Sequence, residues 1–214
     1  MVSTTYKWSI DRWHELVDSG VLEGQKVELL EGDIVVRWSA PTASLANPLS
    51  GLSPEGFEHS FTNESIVIYL RDKLSGLAHV KESHPITLDN SEPEPDIAIV
   101  KLPLTIYRTR HPYPQDIYWL IEVSQRTLKK AEQRGLGGFP HERLFQEDLQ
   151  QKVITYARNG IPEYWVIDLK NKKLIIHTQP RQDKYLQVVE YRSGKLTPQA
   201  FSNIEIAIDK LLLY

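Results

Sequence analysis

The chain has 214 residues, 41% hydrophobic and 25% charged, with a formal net charge of −3 and no cysteine. This composition excludes a disordered, collagen-like or coiled-coil chain and is enough for one domain with its own core. Without cysteine there is no disulfide, no thiolate zinc site and no cysteine nucleophile. The mild acidity is not the footprint of a strongly basic nucleic-acid binder, although a local basic patch would suffice.

The opening residues, Met1 to Trp8, lack the apolar run of a signal peptide, and no apolar stretch reaches membrane-span length. The expectation is a soluble, cytoplasmic protein with no membrane partner. Ser9 to Ser19 reads as a helix stopped by Gly20. Val27–Leu30 and Ile34–Val36 flank Glu31-Gly32-Asp33 and read as a hairpin. Residues 38–57, rich in Pro, Gly and Ser, read as a long loop.

Glu58 to Leu74 reads as a helix whose apolar face is Phe61, Ile66, Ile68, Tyr69 and Leu70. Strands are expected at Ala78–Val80, Ile86–Leu88, Ile97–Val100 and Ile117–Val123, the last a central strand covered on both faces. An irregular Gly-rich segment, 129–140, precedes a helix from Leu144 to Arg158 with an apolar stripe of Leu149, Val153, Tyr156 and Ala157. Tyr164–Ile167 and Leu174–Ile176 form a hairpin, and Tyr185–Tyr191 and Ile204–Ile208 add strand segments. With no repeat and no linker, the fold class is α/β, a single domain with a mixed central sheet flanked by helices.

The polar residues inside the most apolar strands are the candidates for chemistry. Asp96 opens Ile97–Val100, and Glu122 lies near the end of Tyr118–Ser124. A carboxylate in such a setting needs a partner, because an unpaired buried charge is costly. A divalent cation is one such partner and takes oxygen ligands; a salt bridge to Lys or Arg would serve Glu122 equally, and Pro95-Asp96 is also a common turn pair. Lys152 lies at the edge of the next helical stripe, four residues after Asp148. The two read either as an exposed ion pair or as a cation leaning over the strand end to polarise water. Tyr156 continues that face, where a core aromatic is the plainer reading. Glu28 points opposite to Val27 and Leu29, toward solvent or toward the same acidic cluster. The histidines make no metal-binding pattern, and no phosphate loop or nucleophile elbow is present.

Four stretches resemble the Uma2 family, also called DUF820: Val27–Val35, Glu94–Val100, Leu120–Ser124, and Asp148 through Lys152 and Tyr156 to Gly160–Asp168. The likeness spans about residues 8–210, in a family abundant in cyanobacteria. It implies a PD-(D/E)XK restriction-endonuclease-like fold and a Mg²⁺- or Mn²⁺-dependent endonuclease hydrolysing phosphodiester bonds in DNA. It carries over Asp96 and Glu122 as metal-binding and catalytic acids, Glu28 as the N-terminal glutamate of the site, and Lys152 as the lysine. Where the superfamily usually has lysine, two residues after the acid, this chain has Ser124. Asp148, Tyr156 and His59 match supporting positions. Two stretches, near 39–57 and 131–147, look like loop insertions in one domain spanning 1–214. A homodimer is the expectation if both strands are cut. The competing reading is a catalytically degenerate nuclease-fold module that binds nucleic acid or protein.

Overall fold

The computed structural model describes residues 6–36, 57–124 and 140–213, with side chains at 6–35, 60–124 and 149–213. In chain order the elements are α1 (Ile10–Asp18), β1 (Val27–Leu30), β2 (Asp33–Val36), α2 (Phe57–Lys73), β3 (His79–Glu82), β4 (Ile97–Val100), β5 (Ile117–Ser124), α3 (Pro140–Arg158), β6 (Glu163–Asp168), β7 (Lys173–Arg181), β8 (Lys184–Tyr191), β9 (Lys195–Leu196), β10 (Ile206–Ala207) and α4 (Ile208–Leu211).

The central sheet has six strands in the order β3-β4-β5-β6-β7-β8. β5 and β6 run parallel, and the other neighbours are antiparallel. A parallel pair needs a crossover, and α3 supplies it. This is the mixed α/β sheet expected from the sequence.

Alternation along the strands sorts the core into two layers. Ile97, Ile99, Trp119, Ile121, Val123 and Trp165 face α2 and the C-terminal segment, and Trp119 stacks on Trp165 with ring centroids 5.3 Å apart. Ala98, Leu120, Tyr164 and Val166 face Leu149, Tyr156 and Ala157 of α3. Every residue of β4 and β6 is buried, which is why both read as continuous apolar runs.

The β1–β2 hairpin turns on Glu31 and Gly32, with φ of 49° and 78°. Two left-handed residues make the turn whose twist suits a hairpin. Gly32 is also sterically required, since a Cβ there would meet the Lys7 side chain at 3.0 Å. The hairpin joins the body through Leu29, whose carbonyl accepts from Glu92 N–H at 2.7 Å, and through Gly32 N–H to the Asn90 carbonyl at 2.8 Å.

Several expectations are corrected. Ile86–Leu88 is not a strand: it lies in an irregular stretch punctuated by Pro85, Pro93 and Pro95, whose missing N–H groups cannot sustain a ladder. Its apolar side chains are nevertheless core. On α2 the buried apolar positions are Ile66, Val67 and Leu70, followed by Leu74 just past its end, while Phe61 and Ile68 are exposed. The strand expected at Ile204–Ile208 shortens to Ile206–Ala207 and passes into α4. Helix α3 begins at Pro140, so residues 140–147 of the stretch expected as an inserted loop are helical. Of the loop expected at 39–57, Phe57 opens α2, and residues 39–56, like 131–139, fall outside the described residues.

Candidate active site

β4 and β5 pair with Ile97 opposite Ile121 and Ala98 opposite Leu120. The next position outward on each strand is Asp96 and Glu122. Alternation puts both on the α3 side of the sheet, in line with Ala98 and Leu120. Both are almost fully buried. The ladder would next require the Val123 N–H to reach residue 95, but the Asp96 carboxylate takes it instead, at 2.7 Å. One carboxylate oxygen of Asp96 thus ends the β4–β5 ladder and fixes the side chain at the strand end.

Lys152 comes down from α3 onto this face. Its ammonium is 3.0 Å from Glu122 Oε1 and 3.9 Å from Glu28 Oε1, and the residue is only 3% exposed. It is therefore a buried cation between two carboxylates rather than half of a solvated surface pair. One turn along, the Tyr156 hydroxyl donates to the same Glu122 oxygen at 3.3 Å. The i, i+4 spacing puts both groups on one helix face. Glu28 is turned inward, 2% exposed, and its Oε2 accepts from the Glu94 N–H at 2.9 Å. The structure thus brings Asp96, Glu122, Lys152, Tyr156 and Glu28 to one end of the sheet. The side chains of Asp148 and His59 lie outside the described residues.

Two carboxylates not singled out from the sequence organise this end. Glu31 accepts from Thr155 Oγ1 at 2.9 Å and from Arg158 at 2.5 Å, and so ties the hairpin to α3. This sets Lys152 over Glu28. The signal for it is slight: a carboxylate in the left-handed position of a tight turn. Glu92 gathers Trp13 Nε1–H at 3.0 Å, His14 Nε2 at 2.7 Å and Thr87 Oγ1–H at 2.8 Å, and so docks α1.

Asp96, Glu122 and Glu28 bring carboxylate oxygens to this end of the sheet, the ligand type that a hard divalent cation takes. The donors are all hard oxygens, suited to Mg²⁺ or Mn²⁺ and not to a soft metal. Among the described residues no group of three or more His, Cys, Asp or Glu could hold an ion by itself. That does not conflict with Mg²⁺, which is commonly held by one or two carboxylates together with waters and substrate phosphates. The residues present fit such an ion.

The family model for Uma2, described as "Putative restriction endonuclease", matches residues 13–209. No curated protein matches the chain. Among solved structures, a putative nuclease belonging to DUF820 from Anabaena variabilis ATCC 29413 superposes with a TM-score of 0.58 at 15% sequence identity, covering 87% of this chain and 89% of that one. At that identity the likeness speaks for the fold. With nearly the whole chain matched by the family and the fold shared over most of its length, the protein belongs to the Uma2 family of restriction-endonuclease-like proteins.

Proposed function

We propose that this protein is a cytoplasmic, divalent-metal-dependent endonuclease that hydrolyses phosphodiester bonds in DNA. The observation that supports it most is the burial of the Lys152 ammonium against Glu122, on the sheet face shared with Asp96. A lysine serving only solubility would stay in water.

Asp96 and Glu122 would hold Mg²⁺ or Mn²⁺. A bound cation supplies neutralisation of the scissile phosphate and acidifies a water nucleophile. The chain's own groups do the rest. The Val123 N–H and the Tyr156 hydroxyl hold the two carboxylates in fixed orientations. The Lys152 ammonium would orient the attacking water and offset charge growing on the phosphate. Glu28 stands 3.9 Å from the same ammonium and offers it a second carboxylate. DNA is preferred over RNA by analogy of fold, and cutting both strands would call for a second copy.

The test is nicking of supercoiled plasmid with Mg²⁺ or Mn²⁺ by the wild type and by Asp96→Asn and Glu122→Gln. Asparagine retains an acceptor for the Val123 N–H, so loss of nicking reports the carboxylate and not a frayed strand. Nicking is expected to fall by at least about 100-fold in both variants, the size typical of a lost catalytic group. Equal nicking by the variants would refute the assignment. Calorimetry with Mn²⁺ separates out a binding-only module, which would give no heat or heat indifferent to Asp96→Asn.

A further inference from the structure

A cavity of about 400 Å³ opens between α1, the turn that follows it and the segment leading to β4, and Glu28 forms part of its wall. It is within the size range of small-molecule sites, roughly 300–1,000 Å³. It adjoins the candidate active site at Glu28, which lines this cavity and also stands 3.9 Å from the Lys152 ammonium.

The walls limit what can fill it. Its apolar lining comes from Trp13, Val17, Leu22 and Pro85, and Val17 is 46% exposed. The same lining carries Glu23, Glu92 and Glu94 with His111, and Glu92 accepts from the Trp13 indole itself. Burial holds the His111 imidazole below its ordinary value, so it is neutral at neutral pH. No lysine or arginine is among the described residues that form the wall. A phosphate is repelled from such a pocket. A flat, neutral group with N–H donors on its edge is accepted, its ring against the apolar side chains and its donors toward carboxylate oxygens. Glu92 is already engaged by Trp13, His14 and Thr87, whereas Glu23 stands exposed at the outer lip.

We propose that this cavity receives one unstacked nucleobase of the strand whose adjoining phosphate lies at the Asp96–Glu122 centre. Guanine is preferred because its ring N–H and amino group present two donors side by side to one carboxylate. The acidic wall, which would be a defect in a backbone-binding groove, becomes the reading surface for the base edge. The assignment rests on the nuclease reading of the adjoining centre.

The test follows the Trp13 indole N–H by ¹⁵N NMR on the full chain during titration with guanosine, thymidine, inorganic phosphate or Mg²⁺. Guanosine is expected to move that signal and to bind about tenfold more tightly than thymidine, equivalent to about 1.4 kcal/mol. Glu23→Gln should remove the tenfold preference, and Val17→Arg should abolish binding of both nucleosides. Both positions are exposed, and the remaining indole signals report whether the fold is intact. A shift with phosphate or Mg²⁺ matching that with guanosine overturns the proposal, as does guanosine binding untouched by Val17→Arg. Glu122→Gln separates the two readings: it should stop nicking and leave guanosine binding unchanged. Guanosine binding by a wild type that never nicks DNA would sink the nuclease reading and keep the base site.

Discussion

Replacing Lys152 by methionine removes the cation from a buried acidic cluster and keeps the side-chain length. The ammonium lies 3.0 Å from one carboxylate and 3.9 Å from another. At an effective dielectric of about 20 each contact is worth about 4–6 kcal/mol of attraction before desolvation is counted. Removing one partner of a buried pair costs about 3–5 kcal/mol, because the other charge stays behind without compensation. In a domain of this length 1 kcal/mol moves Tm by about 2–4 °C, so Lys152→Met should lower Tm by roughly 6–20 °C in metal-free buffer. Adding Glu122→Gln to Lys152→Met should restore part of the loss, since the carboxylate nearest the lost ammonium is then neutral. Millimolar Mg²⁺ should raise the Tm of Lys152→Met more than that of the wild type, because the ion takes over the neutralising role. Calorimetric melts of the three proteins decide the matter. A loss smaller than about 3 °C, or a double variant no more stable than the single, would refute the account of Lys152 as a buried counter-charge.

Glu31→Ala should cost about 1–2 kcal/mol in urea melts: about 1 for the Thr155 hydrogen bond and less for the half-exposed Arg158 pair. Nicking at a temperature well below the melt should fall further than that loss implies, since α3 then slides relative to β1; activity tracking stability alone would argue against the clamp. His177, packed near the rings of Tyr164 and Tyr185 at 5.4 and 5.7 Å, is held below its ordinary imidazole value by burial. The unfolded chain therefore takes up a proton near pH 6.5 that the folded chain refuses, so stability falls as pH drops below about 6.5 toward the folded value. His79 and His111 shift in the same direction. Glu163, raised by burial, has the opposite sign: its contribution is complete below its unfolded value of about 4.5 and is lost as pH rises through the folded one. His177→Phe should flatten the decline in urea midpoint between about pH 7 and about pH 5; an unchanged slope would show that His177 does not drive it.

What could be read from the sequence followed from how local each signal is. β5 and β6 announce themselves because a strand covered on both faces has to be apolar throughout, and Asp96 and Glu122 stand out because they interrupt such runs. Lys152 and Tyr156 share a helix face by spacing alone. The face of α2 is misjudged because Phe61 and Ile68 fall close to the true stripe of Ile66, Leu70 and Leu74, and only tertiary contact shows which of them is covered. Ile86–Leu88 has the alternation of a strand but is flanked by prolines and paired through scattered single bonds. Glu31 and Glu92 escaped notice for a different reason: their partners lie 127 and 79 residues away, at Arg158 and Trp13. No window along the chain contains both ends of such a bond.

The parallel pairing of β5 with β6 has a consequence for how this site can change. The chain leaves β5 two residues after Glu122 and has to travel the length of the sheet before it can enter β6, and α3 makes that journey on the face that carries the carboxylates. Acid and lysine are thus neighbours by topology, and their meeting does not depend on how many residues separate Ser124 from Pro140. Length added at that point leaves the chemical groups in place, since closing a longer connection costs little. The chemical groups are therefore held by the paired strands and the helix that joins them, and the length of the connection can change without moving them.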